Sequence, residues 1–151
     1  EDAYYPEGPH LYRIGNYYYL MIAEGGTEHF HSETIAKSKN LRGPYKGYRG
    51  NPILAQRNLG TQAVVANTGH ADLVELKDGS WYMVFLASRP YDGYHKILGR
   101  ETFIVPVEWE NGWPVVSPGT GKIEFVYQGP ELPECEIKKV SEKDEFTNSS
   151  L

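Results

Sequence analysis

The sequence lacks the features that mark disulfide-rich, membrane-spanning and nucleic-acid-binding proteins. Cys135 is the single cysteine among 151 residues, so no internal disulfide forms. No apolar run approaches the roughly 20 residues of a membrane span, and no basic segment leading into an apolar one marks a secretory signal. The net charge of −5 argues against nucleic acid and anionic membranes as partners. Cytoplasmic, periplasmic and secreted locations all stay open.

Long helical periodicity is also missing, whereas residues that form turns and strands are frequent. The chain contains 16 glycines, 10 prolines and 12 tyrosines. Short strands joined by many turns have this composition, and the length is that of one domain. We therefore predict an all-β fold.

The first half reads as a set of short antiparallel strands. Strands are predicted over 8–14, 17–23 and 33–38, with Gly15-Asn16 as a tight turn because both residues tolerate positive φ. A short edge strand follows the turn at 41–45. Residues 51–67 carry little pattern and are predicted to be a long connection.

The second half starts the pattern again. Strands are predicted over 71–76, 80–87, 99–109 and 113–116, with turns at Asp78-Gly79 and Asn111-Gly112 and a loop containing Pro90, Gly93 and His95. Proline cannot donate to a strand ladder, so Pro106 limits its strand to an edge or bulge role.

The two halves align as a repeat. Leu11 falls on Leu73 at an offset of 62 residues, and Leu20 falls on Met83 at 63, after one inserted turn residue. A four-stranded repeat of this kind predicts propeller blades, although two unrelated hairpins with aromatic inner strands also align in this way. Propellers close with roughly 4–8 blades. We therefore expect residues 1–128 to be part of a propeller whose other blades come from the same protein or another chain, and 129–151 to be a linker or tail.

One carboxylate stands in a rigid frame at the entrance of the first strand. Pro6 and Pro9 fix φ on either side of Glu7-Gly8, and Gly8 allows close approach of the backbone. A fixed carboxyl group of this kind suits a general acid, because burial raises its pKa and the frame sets its rotamer. The alternative is a glutamate that caps a turn and faces water.

Several segments together resemble glycoside hydrolase family 43, whose members include β-xylosidases and α-L-arabinofuranosidases. The resemblance covers about residues 4–125 and rests on segments in the family's order. They are Pro6-Glu7-Gly8-Pro9-His10-Leu11-Tyr12, Tyr17-Tyr18-Tyr19-Leu20, Ala23-Glu24-Gly25-Gly26-Thr27, Thr68-Gly69-His70-Ala71-Asp72-Leu73-Val74-Glu75, Leu98-Gly99-Arg100-Glu101-Thr102-Phe103 and Pro106-Val107-Glu108-Trp109. It implies a five-bladed propeller that hydrolyses glycosides with inversion, acting on oligosaccharides of xylan or arabinan.

The resemblance also implies roles for single residues. Glu7 corresponds to the general acid. The family's general base and the aspartate that tunes the acid's pKa lie on earlier blades. This chain alone should therefore be inactive. His70 corresponds to a histidine that helps to hold a central cation, commonly calcium with water ligands. Arg100, Thr27 and His10 correspond to substrate-binding positions. No organic cofactor is implied.

Plainer roles remain open for several of these positions. Arg100 could instead form a salt bridge with Glu101 or with a residue of a neighbouring blade. We expect His29 and His31 to be solvated loop histidines, Asp72 and Glu24 to be structural acceptors, and residues 17–19 to be core.

Three functions compete at this stage. They are an exo-acting inverting glycosidase, an inactive carbohydrate-binding or scaffold propeller, and a protein-interaction propeller. The sequence does not separate xylosidase from arabinofuranosidase activity. Asp144-Glu145-Phe146 resembles a linker to the β-sandwich that some relatives carry.

Overall fold

The computed structural model describes residues 4–136, and these form an all-β structure. Two four-stranded antiparallel sheets, blade 1 and blade 2, make up most of it, with strand orders β1-β2-β3-β4 and β5-β6-β9-β10. The strands are β1 (Glu7–Ile14), β2 (Tyr17–Glu24), β3 (Ser32–Ser38), β4 (Lys46–Gly47), β5 (Ala66–Glu75), β6 (Trp81–Ser88), β7 (Pro90–Tyr91), β8 (His95–Lys96), β9 (Glu101–Glu110) and β10 (Trp113–Val116). Within the described range no helix is long and apolar enough to cross a membrane. The Asp144-Glu145-Phe146 linker motif lies outside that range.

The predicted strands and hairpin turns are confirmed, with three differences. The connection 51–67 contains a 3₁₀ helix (Arg57–Gln62) and the first residues of β5, which begins at Ala66 rather than residue 71. The predicted loop after β6 contains the hairpin β7–β8. The early part of β5 escaped prediction because register shifts interrupt its pairing with β6, so side chains do not alternate regularly there.

Pro106 lies in an interior strand, which the sequence argued against. β9 pairs with β6 along most of its length and with β10 from Val107 onwards. The Pro106 carbonyl accepts from the Ser117 amide, beyond the end of β10, and the nitrogen of a strand residue points the same way as its carbonyl. The missing N–H therefore faces the end of β10 rather than β6, so the β6–β9 ladder loses no hydrogen bond.

The two blades pack face to face, and the seam between them holds the core. Blade 1 contributes Tyr19, Met21 and Ile35, and blade 2 contributes Met83 and Phe85. Burial of these side chains supplies the main favourable energy of blade association, at about 25 cal/mol for each Å² of apolar surface removed from water.

The repeat explains which faces remain open. Leu11 is 50% exposed whereas its equivalent Leu73 is 6% exposed, because one face of blade 1 meets the opposite face of blade 2. Apolar side chains also lie on the two outer faces, such as Ile104 at 58% exposure. Exposed apolar sheet faces mark surfaces that another element covers.

Aromatic residues fill the end of the seam where β1 and β5 finish. Tyr19 packs edge-on against Trp109 and Trp113, with ring centroids 5.2 and 6.1 Å apart, and its hydroxyl donates to the Gly112 carbonyl at 2.9 Å. The Lys37 ammonium lies 4.1 Å from the Trp113 ring centroid and donates to the same carbonyl. Burial lowers the pKa of Lys37. We call Tyr19, Lys37, Trp109, Gly112 and Trp113 the aromatic end of the seam.

Candidate functional site

The opposite end of the seam, where β1 and β5 begin, brings together one carboxylate and two imidazoles. Ligand atoms of Glu7, His31 and His70 all lie within 4.8 Å of one another. They come from three separate segments, namely the start of β1, the residue before β3 and the first half of β5. We call Glu7, His31 and His70 the polar end of the seam.

The start of β1 holds Glu7 towards the histidines. Glu7 pairs with Ala23 on β2, and the register shifts between Glu7 and His10. Gly8 has a φ of +54°, and a Cβ there would lie 2.8 Å from His70 Nε2, so glycine alone fits both the backbone and the packing. The predicted proline-glycine frame therefore presents the carboxylate to His70, with 44% of its side chain exposed.

His70 faces Glu7 from blade 2. Its Nδ1 lies 3.7 Å from Glu7 Oε1 and has no hydrogen-bond partner among the described residues, although the atom is buried. The backbone of His70 is left-handed, with a φ of +54°, which is uncommon for a residue with a side chain. The surrounding structure must therefore hold this peptide in place.

The expectation that His31 is a solvated loop histidine is wrong, because it is 1% exposed. Nδ1 lies 2.8 Å from the Asn67 carbonyl, and a carbonyl only accepts, so Nδ1 carries the proton and Nε2 presents a lone pair. Burial lowers the pKa of His31, and the charges of His70 and Arg100 act in the same direction while Glu7 opposes them. His29 is exposed, as predicted.

The sequence offered one signal for His31 that the prediction missed. In an extended segment His31, Glu33 and Ile35 fall on one face, and Ile35 was predicted to lie in the strand. Both Glu33 and Ile35 are buried beside His31 in the structure.

Glu33 is a buried carboxyl group that the sequence did not single out. It is fully buried, and its Oε2 accepts from the Ala71 amide at 3.0 Å. Burial raises the pKa of Glu33 to about 8, against the lowering effect of hydrogen bonds from the amides of Ala71 and His70. Its Oε1 has no partner among the described residues.

Arg100 and Thr27 border the polar end of the seam. Arg100 is exposed and near enough to His31 for its charge to lower the pKa of that imidazole. The alternative salt bridge to Glu101 does not form, because Arg89 binds Glu101 through two hydrogen bonds of 2.6 and 2.7 Å. Thr27 is exposed, and its carbonyl accepts from the Asn67 side chain at 3.4 Å.

His10 lies farther along β1, where its neighbours belong to a different network. Its Nδ1 is 3.5 Å from Asp72 Oδ1, and its ring stacks on Tyr12. The Tyr12 hydroxyl donates to Asp72 and accepts from the Leu73 amide. Asp72 is thus an acceptor, as predicted, and the substrate-binding role of His10 stays a prediction. Glu24 likewise accepts from the Thr34 hydroxyl at 2.8 Å.

A cavity of about 330 Å³ opens beside the polar end of the seam. It lies between the 27–31 loop of blade 1 and the β7–β8 hairpin of blade 2. Its lining residues are His29, Ala66, Asn67, Pro90, Tyr94 and Lys96. Asn67 links the cavity to the site, because its carbonyl binds His31.

The donors at the polar end of the seam fit calcium poorly. Calcium prefers six to eight oxygen ligands, whereas Glu7, His31 and His70 supply one carboxylate and two nitrogen ligands. Two imidazoles and a carboxylate suit borderline transition metals better. A central calcium ion would depend on water for most of its ligands. It takes part in no step of the proposed reaction.

Comparison with known proteins identifies a family. The profile of Glycosyl hydrolases family 43 matches residues 1–114. The chain is 49% identical over 148 residues to a xylosidase/arabinosidase of Butyrivibrio fibrisolvens, covering 97% of this chain and 28% of that protein. It is 46% identical to a non-reducing end alpha-L-arabinofuranosidase of Bacteroides ovatus, covering 97% of this chain and 27% of that protein.

Solved structures give the same result for the fold. A xylan beta-1,4-xylosidase from Bacillus halodurans superposes with a TM-score of 0.85 at 38% identity, over 100% of this chain and 29% of that protein. The two sheets are therefore propeller blades, as predicted. The chain spans less than a third of the length of each of these relatives.

Proposed function

Because this chain belongs to glycosyl hydrolase family 43, we propose that it forms the later blades of an inverting glycosidase. The substrate is the terminal xylose or arabinose of plant-wall oligosaccharides, in line with the names of its relatives. The observation that carries this proposal is the approach of Glu7 to His70, at 3.7 Å, in a site bordered by Arg100. The half-exposed outer faces of both blades support further blades on either side.

In the proposed reaction Glu7 is the general acid. Its carboxyl group donates a proton to the glycosidic oxygen as the bond to the sugar breaks, and a water activated on the opposite face attacks the anomeric carbon. The base that activates this water stands about 6.5–9.5 Å from the acid in inverting enzymes. We assign that base, together with the aspartate that tunes the acid, to blades outside this chain, so residues 1–151 alone should not turn over substrate.

The remaining polar groups bind and orient the sugar. The Arg100 guanidinium offers several donors in a fixed plane, which suits hydroxyl groups of a pyranose or furanose ring. The Thr27 carbonyl accepts from the side chain of Asn67, which lines the cavity, and the Thr27 hydroxyl is proposed to contact a sugar hydroxyl.

The test uses the complete enzyme in which we propose these residues lie. Aryl β-xylosides and α-L-arabinofuranosides with poor and good leaving groups are compared in the wild type and in Glu7→Gln. General acid catalysis is worth about 10²–10⁴-fold, so Glu7→Gln should lose that much on a poor leaving group and much less on dinitrophenolate, which needs no proton.

Glu75→Gln is the matched control, because Glu75 is exposed at the far end of β5, and it should keep wild-type rates. Binding of oligosaccharide without turnover by the complete wild-type protein would replace the glycosidase with a carbohydrate-binding module. If the complete wild-type protein neither binds nor hydrolyses oligosaccharide, the protein-interaction propeller is the remaining function.

A further inference from the structure

The Glu33 side chain crosses the seam from blade 1 to blade 2. Its backbone is fixed on blade 1, since its amide donates to the Leu54 carbonyl and its carbonyl accepts from the Ile53 amide, both at 2.9 Å. Its carboxyl group accepts from the Ala71 amide of blade 2 at 3.0 Å, and the His70 amide lies close by. Glu33 therefore joins the rigid part of one blade to the peptide that carries His70.

That peptide needs such a restraint. His70 has a left-handed backbone, which a residue with a side chain adopts only where its surroundings impose it. The hydrogen bond from the Ala71 amide to this buried carboxyl group fixes the orientation of the peptide between His70 and Ala71. It also prevents the Ala71 amide from being left without an acceptor, which would be costly.

The imidazole of His70 in turn packs against the backbone that carries Glu7. His70 Nε2 sits so close to Gly8 that a Cβ at that position would approach within 2.8 Å. His70 Nδ1 lies 3.7 Å from Glu7 Oε1. A continuous set of contacts thus runs from Glu33 through the His70 backbone and ring to the carboxyl group of Glu7.

Stability alone does not explain why a carboxyl group occupies this buried position. Burying it removes all of its side chain from water, and Oε1 gains no partner among the described residues. An apolar side chain of similar length would avoid that desolvation. The carboxyl group is better explained by what its amide contact holds in place.

We propose that Glu33 is a positioning residue for the general acid. Glu33 holds His70 against Glu7, so that the Glu7 carboxyl group points at the leaving oxygen. This inference rests on the proposed function, in which Glu7 is the acid. Glu33 itself does not touch the substrate.

The test compares leaving groups in Glu33→Met of the complete enzyme. Methionine has a similar length but cannot replace the carboxyl oxygen that accepts from the Ala71 amide. For a poor leaving group kcat should fall about 10–100-fold, a loss expected from small misplacement of a catalytic group, with KM nearly unchanged. For a dinitrophenyl substrate kcat should stay within about threefold of the wild type, because no proton is needed. Equal losses on both substrates, or no loss on either, would overturn the proposal.

Glu33→Gln provides the conservative rescue. Its amide oxygen accepts the same hydrogen bond from the Ala71 amide, so both substrates should react within about threefold of the wild-type rate. A loss in Glu33→Gln as large as that in Glu33→Met would contradict the proposal, because the acceptor geometry is retained.

Folding is measured alongside the rates, by thermal unfolding and circular dichroism. If Glu33→Met does not fold, Glu33→Asp is decided by the same leaving-group criterion, since its shorter carboxyl group cannot reach the Ala71 amide. Failure of both variants to fold would assign Glu33 to stability and overturn the proposal. The proposed function is judged separately, by turnover in the wild type and its leaving-group-dependent loss in Glu7→Gln.

Discussion

The two ends of the seam lie between the same two blades but satisfy their polar groups differently. At the aromatic end the Tyr19 hydroxyl and the Lys37 ammonium share the Gly112 carbonyl, and the surrounding rings pack edge to face. At the polar end His31 Nε2, His70 Nδ1 and Glu33 Oε1 are buried without partners among the described residues. Among the described residues the aromatic end leaves a single buried polar atom without a partner, Trp109 Nε1, whereas the polar end leaves these three.

The two ends of the seam therefore have different roles, one in stability and one in function. Buried polar atoms without partners cost stability, so a protein retains them where a ligand or a reaction uses them. The aromatic end offsets that cost by burying large rings between the same two sheets. Substitutions at the two ends should accordingly separate stability from activity.

The largest effect on stability is expected from Tyr19→Ala in the complete enzyme. Tyr19 is 3% exposed and contacts two tryptophan rings, so its removal should cost about 3–5 kcal/mol. Urea or thermal unfolding measures this cost. Tyr19→Phe keeps the ring and loses one hydrogen bond, so it should cost only about 1 kcal/mol. Equal effects of the two variants would show that ring packing is not what stabilises this end.

The next effect is a pH dependence of stability at the polar end. The pKa of Glu33 is raised from 4.5 to about 8 in the folded state, so the folded state holds a proton that the unfolded state releases between these values. The stabilising contribution is complete below about pH 4.5 and is lost as pH rises through about 8. The unfolding temperature of the wild type relative to Glu33→Gln should fall over this range. A constant difference would mean that Glu33 is already ionised at low pH.

A smaller effect is expected from zinc at Glu7, His31 and His70. Zinc binds imidazole nitrogen and carboxylate oxygen at about 2.0–2.2 Å, and occupation of Glu7 would block protonation of the leaving group. Zinc should therefore inhibit the complete enzyme, and His31→Phe should raise the half-inhibitory concentration about tenfold, a typical effect on metal affinity. Each variant is compared with its own zinc-free rate. Identical half-inhibitory concentrations for the wild type and His31→Phe would show that the inhibiting zinc binds elsewhere.

Much of the fold could be predicted because its signals are local. Gly15-Asn16, Asp78-Gly79 and Asn111-Gly112 mark hairpins through their tolerance of positive φ, and the residues between them alternate. The offset of 62–63 residues then related the two blades. The hairpin β7–β8 was missed because two-residue strands carry no periodicity.

The site was only partly predictable because its contacts join distant segments. Glu7 and His70 stood out through the family resemblance, but the burial of His31 and Glu33 depends on how blade 2 packs against blade 1. No local pattern marks a buried carboxyl group that accepts from the Ala71 amide, 38 positions away. The left-handed backbone at His70 is likewise imposed by that packing.

The smallest effect is expected from Lys37→Met at the aromatic end. The ammonium lies over the Trp113 ring and donates to the Gly112 carbonyl at 2.8 Å, and such cation–π contacts are worth about 0.5–2 kcal/mol. Burial already lowers the pKa of Lys37, so its charge is held at some cost, and methionine keeps the apolar contact with the rings. The net loss should therefore be about 1 kcal/mol by urea unfolding, with the hydrolysis rate per folded molecule unchanged. A fall in that rate would show that the two ends of the seam are coupled, because Lys37 lies on β3 with Glu33.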